Sequence, residues 1–148
     1  MAKVKISLPS RPLFKTNITL RVTDLNYGGH LGNDSVLSLC HEARYRLFRA
    51  VEASERDVGG AGIIMADAAV VYQAEAFAAD ILETVLFMDD WGKFSFDLYY
   101  LFTRKQDGKP VAKAKTGIVF FDYNARKIVR VPADFKNGLE KLQSVCDF

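Results

Sequence analysis

The chain has 148 residues, of which 49% are apolar and 26% charged, and its formal net charge is +2. This composition predicts one soluble globular domain that buries about 70% of its unfolded surface, and the mixed charge argues against a nucleic-acid-binding protein, which would carry a basic stripe. Two Cys and two His without ligand spacing predict neither a disulfide framework nor a zinc site, and the lack of long apolar runs predicts a cytoplasmic protein without a signal peptide or membrane span.

The first third of the chain predicts a strand, a glycine-rich loop and a long helix. Residues 14–22 alternate between apolar and polar side chains, which is typical of a half-buried strand. The loop 24–33 holds three glycines, two Asn, an Asp and a His, and such a loop ahead of a helix suits an oxygen ligand. The alternative is an ordinary glycine turn. From residue 33 to about residue 53 apolar residues recur at helical spacing, with Asn33 or Asp34 as N-cap. This helix of roughly 20 residues has a wide apolar surface, so we expect a sheet to cover it.

The rest of the chain predicts mainly antiparallel strands. Turn signals separate them, and the Asp107-Gly108 pair is a strong hairpin signal. Pro132 can open a short C-terminal helix from about residue 132 to 144. This order predicts an α+β fold with one long central helix wrapped by a mainly antiparallel sheet of five to six strands. The predicted strands cover residues 63–73, 81–88, 93–104 and 111–121, with a short strand or loop at 127–131.

The glycine loop and the helix after it carry a family pattern. The chain resembles the 4-hydroxybenzoyl-CoA thioesterase-like superfamily of hotdog-fold acyl-CoA thioesterases, whose members read D-x-D-x-x-G-H-x-N-N before the helix and E-A-R within it. The resemblance covers about residues 14–132 and implies a single hotdog domain over residues 1–148. The matching residues are Asp24, Asn26, Gly29, His30, Gly32 and Asn33, then Glu42-Ala43-Arg44, with weaker matches at Tyr72, Asp80, Asp122, Arg126 and Pro132.

Three positions depart from the family pattern. Asn26 stands where the family has its second Asp, which is often the catalytic carboxylate, and an amide cannot act as a base at neutral pH. Gly32 replaces the first Asn of the usual pair, and Ala79 replaces the Gly before Asp80. If the chain is an enzyme, another carboxylate must therefore take the catalytic role.

Glu42 is the carboxylate that we predict for this role. Its apolar neighbours along the helix would desolvate it and make it a stronger general base. The alternative is an i,i+4 ion pair with Arg46 on a solvated face, or a structural pair with another Arg. A second subclass of hotdog thioesterases places a loop amide near a helix carboxylate. The resemblance to it implies that Asn26 orients the attacking water or holds the thioester. The alternative is a turn residue with a left-handed backbone.

The other candidates come from the loop and from one strand. Asp24 is expected to brace the loop or to serve as an alternative acid or base, and His30 to pin the loop through a hydrogen bond, with catalysis as the alternative. The N–H of Gly29 or Gly32 is expected to face the thioester oxygen. The catalytic candidates are thus Glu42, Asn26, Asp24 and His30. The substrate-binding candidates are Gly28, Gly29 and Gly32, together with Asn33 (also a helix cap), Asp67 (from a neighbouring strand, or simply solvent-facing) and Tyr72 (packing, or lining an acyl tunnel).

The resemblance implies an acyl-thioester hydrolase. Water would attack the thioester of an acyl-CoA or acyl-carrier-protein, with general-base assistance and a backbone N–H oxyanion site at the helix N-terminus. It implies no metal and no cofactor beyond the coenzyme A of the substrate. It also implies a homodimer or a dimer of dimers whose sheets join edge to edge. The alternatives are a hotdog hydratase or dehydratase and, because of Asn26, a non-catalytic acyl-thioester-binding protein.

Overall fold

The structure, a computed structural model, describes residues 1–146 of the chain. These residues contain two α-helices and six β-strands, together with a 3-10 turn at Val22–Asp24. The chain is therefore an α+β protein, as its sequence predicts. In chain order the elements are β1 (Phe14–Thr19), α1 (Ser35–Ala50), β2 (Gly62–Tyr72), β3 (Ile81–Asp89), β4 (Ser95–Arg104), β5 (Lys109–Asp122), β6 (Lys127–Ile128) and α2 (Ala133–Ser144).

All six strands belong to one antiparallel sheet. Its order is β1-β3-β4-β5-β2, and β6 pairs with the end of β5. β2 follows α1 in the chain but pairs with β5, so it forms one edge of the sheet with a length of 11 residues. β1, with 6 residues, forms the other edge. The long strand β2 thus leaves its outer row of backbone hydrogen-bonding groups without a partner strand in the single chain.

The alternation of side chains in β4 explains which face of the sheet α1 covers. Phe96, Leu98, Tyr100 and Phe102 point to one side and are at most 1% exposed, while the residues between them point to the other side. Arg44 of α1 donates a hydrogen bond to the hydroxyl of Tyr100 at 3.2 Å. Helix α1 therefore packs on this face, and its apolar residues join those of the sheet in one core.

Arg44 is charged and nevertheless lies inside this core, with 5% exposure. Its Nε donates to Glu55 at 2.7 Å, and the Tyr100 hydroxyl that it contacts also shares a hydrogen bond with Thr116 Oγ1 at 2.8 Å. A buried charge is tolerated only when it is paired and hydrogen-bonded, and here it is both. Burial raises the pKa of Tyr100 to about 12, so this hydroxyl stays protonated. The Arg of the family pattern is thus a structural residue.

Helix α1 is shorter than the sequence predicts. It has 16 residues, Ser35–Ala50, against a predicted length of roughly 20. The chain leaves the helix because Glu52 has a left-handed conformation with φ 57°. Helix α2 closes the core beyond this point, where the ring of Phe135 stands edge-on to that of Phe48 at 5.2 Å. Within residues 1–146, neither helix has the length and apolar character needed to cross a membrane.

Candidate active site

The side chain of Asn26 shapes the glycine loop. Its Oδ1 accepts hydrogen bonds from the N–H of Gly28 at 2.9 Å and from the N–H of His30 at 3.4 Å. Its own N–H donates to the carbonyl of His30 at 2.8 Å. Both donors to its side chain are N–H groups, so the acceptor must be the amide oxygen, and the amide nitrogen remains as a donor. Asn26 thus closes the loop through its hydrogen bonds. Its φ angle is not positive, so it is not a left-handed turn residue.

All three loop glycines use their N–H groups within the loop. The N–H of Gly29 donates to the carbonyl of Asn26 and that of Gly32 to the carbonyl of Asp24, both at 3.0 Å, while Gly28 donates to Asn26 Oδ1. Gly29 has a φ of 82°, which favours glycine. These bonds correct the prediction that Gly29 or Gly32 presents its N–H to a thioester oxygen, because each of these donors already has an acceptor.

The first turn of α1 offers donors instead. The residue before the helix, Asp34, makes no capping hydrogen bond with its side chain. Asn33 accepts the N–H of Asp34 at 3.0 Å through its Oδ1, so it does not cap the first turn as predicted. The N–H groups of Val36 and Leu37 donate to no side chain and to no loop carbonyl among the described residues. They are the unpaired donors that a helix N-terminus carries, together with its partial positive charge.

A groove of about 300 Å³ opens at this end of the helix. We call it the loop groove. Its apolar lining comes from the glycine loop, α1, β5 and the segment after β2, namely from Leu31, Val36, Ala74, Val111 and Ala112. Its polar lining comes from the loop, from the end of β2 and from the segment after it, namely from Asn26, His30, Asn33, Tyr72, Gln73 and Glu75. The loop groove therefore combines apolar surface, hydrogen-bonding groups and a helix N-terminus.

Tyr72 joins the edge strand to the helix. Its side chain is 55% exposed, so it does not have the packing role that was one of the two predicted for it. It lies opposite Ala112 of β5, and both residues line the loop groove. Its hydroxyl donates to the carbonyl of Asn33 at 3.1 Å.

His30 faces a carboxylate that the sequence analysis missed. Its Nε2 lies 3.8 Å from Oε1 of Glu75, and its ring stands edge-on to that of Phe77 at 5.8 Å. The loop is held by the side chain of Asn26 and by backbone hydrogen bonds. The structure therefore does not have the predicted hydrogen bond by which the His30 side chain would pin the loop. The only sequence signal for Glu75 is a lone charge in the small apolar segment Ala74-Glu75-Ala76-Phe77.

Glu42 and Asp24 lie in a second groove, of about 400 Å³, between α1 and β1. We call it the β1 groove, and none of its lining residues lines the loop groove. Asp24 is 4% exposed and accepts the N–H of Arg21 at 2.8 Å, so its side chain is bonded to the turn that leads into the loop. The side chain of Glu42 is 45% exposed and pairs with Arg46 at 3.1 Å, which is the i,i+4 alternative. In one chain the predicted neighbours Glu42 and Asn26 are therefore in separate grooves.

Asp67 is also outside the loop groove. It lies opposite Gly117 on the sheet face away from α1, and its Oδ1 accepts the N–H of Gly117 at 3.0 Å and Nζ of Lys115 at 2.8 Å. The Lys115 hydrogen bond holds the pKa of Asp67 below its usual range. Lys115 also pairs with Asp97 at 3.3 Å. Within one chain Asp67 therefore does not reach the loop groove as predicted. Among residues 1–146, no three His, Cys, Asp or Glu side chains converge to hold a metal ion.

The sequence and the fold both have matches among known proteins. Residues 20–139 match the family model of the thioesterase-like superfamily. A comparison with curated protein sequences finds no match.

Solved structures of similar fold include three that carry informative names. The 1,4-dihydroxy-2-naphthoyl-CoA thioesterase from Synechocystis is 20% identical, with a TM-score of 0.79 over 87% of this chain and 96% of that one. A Staphylococcus aureus protein in complex with CoA is 14% identical, with a TM-score of 0.81 over 98% and 91%. A thioesterase from Thermus thermophilus, complexed with coenzyme A and Zn, is 20% identical, with a TM-score of 0.78 over 93% and 99%. At these identities the likeness establishes the fold.

Proposed function

Because the chain belongs to the thioesterase-like superfamily, as the loop pattern predicts, we propose that it hydrolyses an acyl thioester in the loop groove. The observation that carries this proposal is the groove itself. Val36, whose N–H is uncapped, lines it together with Asn26 and His30. Acyl transfer needs donors where negative charge develops on the carbonyl oxygen, and a helix N-terminus supplies them without reorganisation.

The oxyanion site in this proposal is the first turn of α1 rather than the glycine loop. The N–H groups of Val36 and Leu37 lack the acceptors that occupy those of the glycines. A carbonyl oxygen at the helix end accepts from them, and its charge gains from the helix dipole as the tetrahedral intermediate forms. The amide nitrogen of Asn26 is a further donor toward the thioester, in keeping with the positioning role predicted for this residue.

Coenzyme A is the leaving group that we propose. The Staphylococcus aureus and Thermus thermophilus proteins of the same fold are complexed with CoA, which supports a CoA thioester over an acyl-carrier-protein thioester. The acyl group then lies against the apolar lining of the loop groove, which Val36, Val111 and Ala112 provide.

A homodimer through β2 is part of the proposal. This edge strand has 11 residues and few charges, and unpaired edges of this kind invite pairing with a second chain. On the α1 side its exposed residues are Met65, Ala68 and Tyr72. Since Tyr72 lines the loop groove, a partner that extends the sheet at β2 also covers one side of the site.

A second candidate function has one observation in its favour. Hydratases and dehydratases of acyl thioesters on this fold use a His with a carboxylate, and His30 lies 3.8 Å from Glu75. In that case the protein adds water to an enoyl-CoA, or removes water from a 3-hydroxyacyl-CoA, without releasing a thiol. The two functions therefore give different products from the same groove.

The experiment is a thiol-release assay over a panel of acyl-CoAs, run beside an ultraviolet assay of enoyl-CoA hydration. With His30 as the general base, the proposal expects thiol release by the wild-type protein and a loss of at least about 10²-fold in His30→Gln, the low end for acid–base groups. Hydration without thiol release favours the second function, and tight acyl-CoA binding without turnover favours a binding protein. If Glu42→Gln shows this loss and His30→Gln does not, the reaction takes place in the β1 groove and not in the loop groove.

A further inference from the structure

We propose that Glu75 is the carboxylate of the site and that it acts as a positioning residue for His30, the general base. This inference rests on the proposed hydrolase function. Among the described residues that line the loop groove, Glu75 is the one carboxylate, and the other ionisable groups are His30 and Tyr72. The pair therefore supplies what Asn26, as an amide, lacks.

The main chain fixes the two residues relative to each other. The N–H of Leu31, next to His30, donates to the carbonyl of Ala76, next to Glu75, at 2.8 Å. This single bond ties the glycine loop to the segment after β2. The tie lies one residue from each partner, so it holds the two backbones side by side. The imidazole and the carboxylate, 37% and 65% exposed, lie 3.8 Å apart.

Arg104 holds the Glu75 segment from the other side. Its Nη1 donates to the carbonyl of Glu75 at 2.7 Å, while its Nη2 and Nε bind the carboxylate of Asp107. The Arg104 side chain is only 13% exposed. The Arg104 guanidinium thus binds the main chain of Glu75 and the carboxylate of Asp107. It does not bind the Glu75 carboxylate, which faces His30.

The electrostatic surroundings of His30 are simple. Glu75 and Phe77 face the imidazole from the segment after β2, and the groove adds the neutral side chains of Asn26 and Tyr72. Two other charged side chains that contact this segment have partners of their own, since Asp80 accepts the N–H of Phe77 at 2.9 Å and Arg104 binds Asp107. A carboxylate beside an imidazole stabilises the imidazolium that forms when the imidazole takes a proton.

The chemistry assigns one role to each residue. Neutral His30 takes a proton from water while the water oxygen bonds to the thioester carbon, and the negative charge on the carbonyl oxygen is held at the α1 N-terminus. The C–S bond then breaks, the thiolate leaves, and the imidazolium returns the proton to sulfur. The products are a carboxylic acid and a thiol, so the water is fully accounted for. Imidazole suits this role because it can take up and return a proton near neutral pH.

The test compares Glu75→Gln with Glu83→Gln, a matched change at a β3 residue that pairs with Lys15. Thiol release is measured as kcat and KM at neutral pH on the best acyl-CoA of the panel. We expect Glu75→Gln to lower kcat at least about 10-fold and to change KM less than kcat. This loss is smaller than the loss of the acid–base group itself, because Glu75 acts only through His30. Glu83→Gln should keep wild-type values.

Rescue by a conservative variant separates positioning from a merely structural role. Glu75→Asp keeps the carboxylate and should retain more of the wild-type kcat than Glu75→Gln, whereas a structural role would be filled better by Gln, which has nearly the shape of Glu. Wild-type kcat in Glu75→Gln, or a kcat of Glu75→Asp no higher than that of Glu75→Gln, would overturn the inference and leave the hydrolase function standing. A wild-type protein that releases no thiol from any acyl-CoA would overturn both.

Discussion

The hydroxyl of Tyr72 donates a hydrogen bond to the carbonyl of Asn33 across 3.1 Å. This bond joins the last residue of the edge strand β2 to Asn33, which lies two positions before the start of α1. A displacement of β2, for example by a partner chain at its edge, should therefore shift the N-terminal end of α1, where we propose that the thioester carbonyl lies.

Removing this hydroxyl should affect activity more than stability. We expect Tyr72→Phe to lower the free energy of unfolding by no more than about 1 kcal/mol, since the bond is solvent-exposed. It should lower kcat/KM about 10-fold, within the range that an ångström-scale misplacement produces. Tyr99→Phe is the control, because its hydroxyl bonds Asp90 on the other sheet face. Equal activity of the two variants would contradict the role given to Tyr72.

The two hydrogen bonds to Asn26 Oδ1 lead to a prediction about the loop. Asp keeps an acceptor oxygen at this position, so Asn26→Asp should unfold at nearly the wild-type denaturant concentration. Asn26→Ala loses both acceptor bonds, to Gly28 and to His30, and should be less stable by about 1 kcal/mol. Urea unfolding followed by circular dichroism measures both. The loop is not organised by Asn26 if the Ala variant proves as stable as the Asp variant.

The buried network around Arg44 should respond strongly to a small change. Tyr100→Phe removes the hydroxyl between Arg44 and Thr116, and buried polar groups left without partners cost about 1–3 kcal/mol. Tyr99→Phe, one residue away in β4 but on the opposite face, should cost much less. Thermal unfolding of both variants checks this, and a Tyr99 variant as destabilised as the Tyr100 variant would speak against the network.

The proposed dimer can be tested at its edge. A Lys on an edge strand opposes pairing with a second chain, so Ala68→Lys in β2 should convert the dimer to a monomer in light scattering. Thr19→Lys places the same charge on the opposite edge, β1, and should leave the dimer intact. A wild-type monomer, or a dimer that survives Ala68→Lys, would rule out pairing through β2.

The sequence predicts the fold well because its signals are local and periodic. The strand alternation and the helical spacing recover the β and α order, and the loop pattern identifies the superfamily that residues 20–139 match. The helix end was missed by a few residues because a left-handed Glu52 is not visible in hydrophobic spacing.

The site was harder to predict, for a physical reason. Glu42 has apolar neighbours along the chain, but successive helical side chains point about 100° apart, so its sequence neighbours are not its spatial neighbours. Glu75 meets His30 only through tertiary structure, across 45 residues of chain. The direction in which each glycine N–H points is likewise set by loop geometry and not by composition.

The most direct test is a crystal structure with a non-hydrolysable acyl-CoA analogue. We expect the carbonyl oxygen of the analogue in the loop groove, within about 3 Å of the N–H of Val36 or Leu37, the distance of an oxyanion donor. The His30 imidazole should lie on the side from which water attacks, with Glu75 behind it. An analogue whose carbonyl lies in the β1 groove, beside Glu42 and Arg46, would contradict the proposed site.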